Sequence, residues 1–329
     1  MKKILAAALT LALVMSLVVI GCAAAETKWP KKPVTVILPY SAGGDTDTYC
    51  RTLFKRVGDE LGQTFVVTNM TGGNGVVAAK TVMSKKNDGY TLLFCHTGAA
   101  LVQEATGFVD FSYTNDFENC CTVAIDQTYS LFALSKEGTY GQYSRGWKNL
   151  EDMIADAKAH PGEVRWSNVH GSATHYVAAM LEKDAGIKLD KIDVGADTAT
   201  RMTSMLGGKV DLVAANYMNM KDYIDNGDMI CLGVMADEEV PGIKFKTFKE
   251  QGYPDVVTAK KYVIKFPKGT KAEIIEKLAD VCKKVVAEPE FAETLASFYA
   301  QPFFRDAERM NTEDVAEVEA IRAAIGTAK

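Results

Sequence analysis

The chain has 329 residues, more than one ordinary compact domain needs and enough for two. Hydrophobic residues make up 47% and charged residues 24%, a globular balance with no low-complexity tract or block of like charge. The formal net charge of −5 gives a nucleic-acid role no electrostatic support, and none is expected.

Lys2 and Lys3 open the chain, and residues 4–20 are apolar apart from Thr10 and Ser16. A positive start followed by such a stretch predicts a secretory signal. The segment "VIGC", Val19 to Cys22, resembles the lipobox of bacterial lipoproteins, in which the cysteine becomes the lipidated first residue. The expectation is a signal peptide over 1–21 and lipidation at Cys22. The body would then sit on the periplasmic or extracellular face of the cytoplasmic membrane. An uncleaved anchor helix is the other reading, although the stretch is short for a spanning helix.

Val34 to Leu38 reads as a strand. The loop "PYSAGGDTD" follows, and then Cys50, Leu53, Phe54, Val57 and Leu61 mark one helical face closed by Gly62. "TFVVTNM" is a second strand. A Gly-rich loop, a short helix and the turn Asn87-Asp88-Gly89 lead to a third strand, Tyr90 to Cys95. Strands alternating with helices through short loops predict a parallel sheet covered on both faces. The grammar then repeats. Asn149 caps a helix running to His160, "VRWSNV" is a strand, and a helix ends at Gly186. "DKIDVG", "VDLVAAN" and "ICLGVM" read as strands, Ile274 to Val285 as a helix, and a last helix spans about Asn311 to Ala324.

Two long strand-like runs, Cys120 to Ser135 and Val256 to Phe266, join the halves. The expected fold is therefore α/β with two lobes, 22–125 plus 262–329 and 126–261, and two crossover strands. Ligands of open α/β sheets bind beyond the carboxyl ends of strands, and clefts between domains are favoured sites. The loops to inspect follow Leu38, Cys95, Val169, Val194 and Ala215.

In the first loop, Gly43 and Gly44 let the backbone approach a ligand, and a helix start favours an anion. The plainer reading is a tight turn with Asp45 or Asp47 capping the helix. In the second, "SNVHGSATH", Ser167 to His175, small and hydroxylated residues again meet a helix start, and His170 or His175 is a possible donor to an anion. No Walker A, G-x-G-x-x-G, G-x-S-x-G or H-E-x-x-H pattern occurs. Ser172 with His175 is the one conceivable Ser/His pair. Cys50, Cys95, Cys120, Cys121, Cys231 and Cys282 are dispersed without a C-x-x-C and read mostly as small buried hydrophobes. No metal, cofactor or catalytic residue is expected.

"WPKKPVTVILPYSAGGDTD", Trp29 to Asp47, and the segment from Leu61 to Phe94 carry a resemblance, as do "AKAHPGEVRWS", "LGGKVDLV" and Phe266 to Phe291. The chain resembles the substrate-binding proteins of tripartite tricarboxylate transporters, from Trp29 to about Pro302. The resemblance implies a type II-like, two-lobed periplasmic-binding-protein fold that closes by hinge motion on a small carboxylate. It implies that main-chain amides and water hold the ligand. The first set is Ser41, Ala42, Gly43, Gly44 and Asp47, with Tyr40 a ligand-binding candidate beside it, and the second is Ser167, Gly171, Ser172, Thr174 and His175. Gly195 and Ala196 stand where relatives have a Gly-Gly-x-P-like loop, here without its proline. Thr97 and Asn216 join by strand-end position.

Asp45 departs from the pattern. Three readings stand: it caps its own helix, it meets a cation on an amine-bearing ligand, or it is protonated or water-bridged. The expected role is a monomeric receptor delivering a small organic acid to membrane transporter subunits. A sensor with a membrane signalling partner and an extracytoplasmic hydrolase are the alternatives.

Overall fold

The computed structural model describes residues 28–195 and 197–326. The expected signal peptide, Cys22 and Ala196 lie outside the described residues. The chain opens with β1 (Val34–Leu38), α1 (Asp45–Leu61), β2 (Phe65–Asn69), α2 (Val76–Met83) and β3 (Thr91–His96). α1 buries Cys50, Leu53, Phe54 and Val57, and Gly62 ends it in the left-handed region at φ 65°. α3 (Thr97–Ala105) follows β3 directly, and β4 (Phe117–Asp126) completes this half of the sheet.

Only Gln127 and Thr128 separate β4 from β5 (Tyr129–Leu134), the first strand of a second sheet. Then come α4 (Leu150–Ala159), β6 (Arg165–Asn168), α5 (Ala173–Ala185), β7 (Asp190–Asp193), α6 (Thr198–Leu206), β8 (Leu212–Asn216), α7 (Lys221–Asp225) and β9 (Met229–Val234). The chain returns through β10 (Lys260–Pro267) and ends with α8 (Ala272–Val286), α9 (Pro289–Ala296), β11 (Gln301–Asp306) and α10 (Ala307–Ala324). The sheets run β11-β4-β10-β3-β1-β2 and β7-β6-β8-β5-β9.

The sheets are mixed rather than purely parallel. β1 pairs with β2 and β3 in parallel, as the alternation predicts. β10 runs antiparallel to both β3 and β4, and β5 runs antiparallel to β8 and β9. The physical reason lies in the crossings: a strand that arrives from the other lobe enters its sheet from the opposite end. The two crossings meet side by side, since Lys260 pairs with Asp126 and Tyr129 pairs with Asn216.

Each lobe has its own core. Phe54, Phe94, Tyr262 and Leu278 centre the first, and Trp166, Met153, Leu181 and Phe248 the second. The six cysteines among the described residues carry no disulfide; five are buried and Cys231 is half-buried.

A buried ionic cluster fastens α10 to the first sheet. Lys265, Arg305 and Asp314 are each 0% exposed. Arg305 Nη2 donates to Asp314 Oδ1 at 2.9 Å, Arg305 Nε donates to Thr122 Oγ1 at 3.0 Å, and Lys265 Nζ lies 3.8 Å from Asp314. Burial pushes the Lys265 ammonium down, and Asp314 opposes that shift. Removing Asp314, the fully buried anion of the cluster, takes a charged partner from each cation and leaves Arg305 with the part-exposed Glu313 at 2.8 Å and Lys265 with the Asn119 amide. Asp314→Ala is therefore expected to destabilise the protein by about 3–5 kcal/mol in denaturant unfolding. A loss below about 1 kcal/mol would show that the cluster relaxes or hydrates freely.

Candidate functional site

The crossings form the floor of a cavity of about 390 Å³ between the lobes. Four helices start at its wall. From the first lobe come Gly44 and Asp45 of α1 and Gly98 of α3; from the second come Ser172 and Ala173 of α5 and Thr198 of α6. The first N–H groups of a helix have no intrahelical acceptor and carry partial positive charge. The N-cap residues of α1 and α3, Gly44 and His96, make no side-chain cap, although the Asp45 carboxylate accepts from Thr46 N within the first turn of α1. Ser172 caps α5 through Thr174 N, and Asp197 caps α6 through Thr200 N. Four such ends border one cavity, and some of their first-turn amides are already taken by Ser172, Asp197 and Asp45.

The first loop divides its work. Gly43 sits at φ +86°, which only glycine adopts readily, whereas Gly44 has an ordinary φ of −80°. Tyr40, Gly43, Gly44 and Asp45 line the cavity; Ser41 and Ala42 are exposed and lie outside its wall. Asp47 turns away from it. Its carboxylate accepts from Gly43 N at 3.0 Å, from Arg51 Nε at 3.0 Å and from Asn69 Nδ2 at 2.9 Å. Burial alone would raise its carboxyl, but Arg51, the Gly43 N–H and Asn69 together bring it down to about 2. Asp47 thus shapes the loop through the Gly43 amide.

Asp45 faces the cavity with a partner that none of the three sequence readings named, a cation of the protein itself. Lys260 Nζ lies 3.9 Å from Asp45 Oδ2, Tyr262 Oη donates to that oxygen at 2.8 Å, and Thr46 N donates to Oδ1 at 2.7 Å. Burial works against the charged form, yet Lys260 and these donors leave the carboxyl below its ordinary range. Lys260 also donates to Asn216 Oδ1, and Asn216 Nδ2 donates to Asp126 Oδ2. Burial raises the Asp126 carboxyl, opposed by Lys260 and the Thr128 N–H. A Cβ on Gly98 would meet the Lys260 side chain at 3.1 Å, so the bare glycine lets Lys260 lie against the start of α3. Beside it the His96 ring stacks on Tyr40 at 4.6 Å. Burial, then Lys260, depress His96 to about 3, which leaves a neutral imidazole at neutral pH.

The second loop contributes mainly through Ser172. Its Oγ donates to Val169 O at 2.9 Å, and the Thr174 hydroxyl accepts from Val169 N at 2.9 Å. Ser167, Gly171, Thr174 and His175 stand behind the wall rather than on it. Gly171, at φ +69°, packs under Phe108 of the first lobe; a Cβ there would meet the ring at 3.0 Å. The His175 ring lies against His170 at 4.8 Å. Thr97 is buried and holds the start of β10 by accepting from Lys261 N at 3.1 Å. Gly195 lies beside α6 but outside the wall. Among the described residues, no group of three His, Cys, Asp or Glu is placed to hold a metal.

Four charged residues on the wall were not among the expected site residues: Lys260, Asp126, Asp197 and Arg201. A signal for two of them was present. Arg201 shares the buried face of α6 with Met205, and Lys260 shares a strand face with Tyr262. A charge in phase with a buried face marks a site or a partner.

The model of the tripartite tricarboxylate transporter family receptor matches residues 50–326. The UPF0065 protein in the gbd 5′ region of Cupriavidus necator is 28% identical over 309 residues, covering 92% of this chain and 90% of that protein. Protein BugT of Bordetella pertussis is 26% identical over 278 residues, 83% and 82% of the two chains. Among solved structures, a TctC solute-binding protein from Polaromonas has a TM-score of 0.71 at 23% identity, covering 91% of this chain and all of that one. Rpa4515 of R. palustris, solved with adipate, has a TM-score of 0.74 at 23% identity, covering 91% and 98%. MatC of Rhodopseudomonas palustris, solved with malate, has 0.69 at 21% identity, with the same coverage. These structures establish the two-lobed periplasmic-binding fold.

The Asp47 cluster yields a pH signature. Its folded carboxyl titrates at about 2, below the ordinary aspartate value near 4. Its stabilisation is therefore full above about pH 4 and disappears as pH falls through about 2. The shift corresponds to roughly 2.5 kcal/mol, and the half-exposed Arg51 reduces this to about 1–2 kcal/mol. Asp47→Asn is expected to lose that amount in urea unfolding at pH 7, with the gap to wild type narrowing below pH 4. A gap that stays constant down to the acid limit would contradict the assignment.

Proposed function

We propose that this chain, which belongs to the tripartite tricarboxylate transporter receptor family, captures a small organic acid in its interlobe cavity and delivers it to membrane transporter subunits. The observation that carries this reading is the convergence of four helix N-termini, two from each lobe, on one cavity. A volume of about 390 Å³ suits a small ligand. Adipate and malate, held by two proteins of the same fold, support the carboxylate class.

In this reading a carboxylate enters from solvent and accepts from first-turn amides of one lobe. Closure about the paired crossings brings up the amides of the other lobe. Water leaves the cavity, and each hydrogen bond to the anion strengthens as the local dielectric falls. No bond is made or broken. Cys22 would carry the lipid that keeps this monomeric receptor at the outer face of the membrane. Among the described residues, no helix is long and apolar enough to cross it.

A thermal-shift screen over monocarboxylates, dicarboxylates, tricarboxylates, aromatic acids and amino acids tests the reading. A ligand at a hundred times its Kd stabilises the folded state by about 2.7 kcal/mol, and a midpoint rise of about 5 °C is expected. Corresponding amides should give no rise. A screen in which no carboxylate moves the midpoint would overturn the proposal. Gly44 offers a sharper probe, because a Cβ there meets only Ser41 O, at 3.9 Å, and the backbone is unstrained. Gly44→Ala is expected to keep unliganded stability within about 1 kcal/mol while weakening the best ligand, as read by calorimetry. Unchanged affinity would place the ligand away from the start of α1.

A further inference from the structure

Arg201 is 5% exposed and lines the cavity. A guanidinium is always charged and has five N–H donors. Nη2 donates to Thr198 Oγ1 at 2.9 Å, while Nε is buried and has no acceptor among the described residues. The nearby Asp197 carboxylate accepts from Thr200 N and Thr200 Oγ1, each at 2.7 Å. Buried cations are ordinarily paired. This one interacts with Asp197 electrostatically but keeps Nε without an acceptor among the described residues, and a guanidinium can receive a carboxylate through two parallel hydrogen bonds.

The first lobe presents the opposite character. Two carboxylates, Asp45 and Asp126, share the single ammonium of Lys260, and one of its N–H groups already donates to Asn216. The Asp45 side chain keeps 32% exposure at the cavity wall. A second anion on the ligand would meet Asp45 there. An ammonium or hydroxyl would find an acceptor.

We propose that Arg201 receives the ligand's carboxylate and that Asp45 accepts from a donor group at its other end, so that the receptor selects amino or hydroxy monocarboxylic acids over dicarboxylic acids. This rests on the carboxylate-receptor reading above. It makes Arg201 and Asp45 the residues that determine specificity within the family fold.

The test is calorimetric titration of the purified protein with propionate, lactate, alanine, β-alanine and succinate, extended to leucine, serine, malate and adipate. At least one amino or hydroxy acid is expected to bind about tenfold or more tighter than both its donor-free analogue and the diacids. Amino acids ahead of hydroxy acids identify an ammonium at Asp45, and the reverse order a hydroxyl; either supports the assignment. Arg201→Gln should weaken the best ligand by about tenfold or more, with Arg201→Lys between. Asp45→Asn should bring the diacids to within about threefold of that ligand, since it removes the repulsion without removing volume. Circular dichroism reports whether each variant folds. Should Arg201→Gln fail to fold, the wild-type order and the Asp45→Asn ratio decide. A diacid that binds wild type as tightly as any amino or hydroxy acid, or a preference unchanged in Asp45→Asn, overturns this inference and leaves the receptor reading standing. Absence of binding by every carboxylate overturns both.

Discussion

Everything at the cleft depends on the contact among Asp126, Asn216 and Lys260. Asp126 ends the strand that leaves the first lobe, Lys260 begins the strand that returns, and Asn216 ends a strand of the second lobe. Asn216 donates to Asp126 and accepts from Lys260, so one amide ties both crossings to the far sheet. The amide suits the place because it is donor and acceptor at once. Buried charges demand such partners, and here the demand is met where the two crossings lie side by side.

From that floor the rest follows by geometry. Short loops after the central strands put helix N-termini at the carboxyl ends of the strands, and the crossings bring two sets of those ends face to face. In the receptor reading, the backbone supplies a generic anion site. Side chains then give it polarity. Asp47 and Arg51 set the first loop from behind, Asp45 and Lys260 fill the first lobe's wall, and Arg201 stands on the second. In the proposed reading, general anion recognition belongs to the backbone, and selectivity among anions belongs to a few charged side chains.

Much of the fold was legible in the sequence where burial is one-sided. α1, α4, α5 and α8 each show a clean apolar face, and caps or stops mark α1, α4 and α5. Less legible were elements that break the two-sided pattern. α3 buries most of its positions, Gln103 included, so no polar face contrasts with an apolar one. α6 carries Arg201 on its buried face, and β11 buries Arg305 while exposing Pro302. In each case tertiary partners outweighed the local pattern. The site was legible in the same measure. The loops that meet at the cavity were named from strand ends and Gly-rich turns. The partners of Asp45 were not, because Tyr262 lies 217 residues away and local spacing carries no information about what faces it.

The most direct measurement is hydrogen–deuterium exchange with and without the carboxylate that stabilises the protein most. The expected result is slower exchange in the first turns of α1, α3, α5 and α6 together, since one anion between the lobes must engage donors on both. Protection confined to one lobe, or falling on helices that do not border the cavity, would contradict the account.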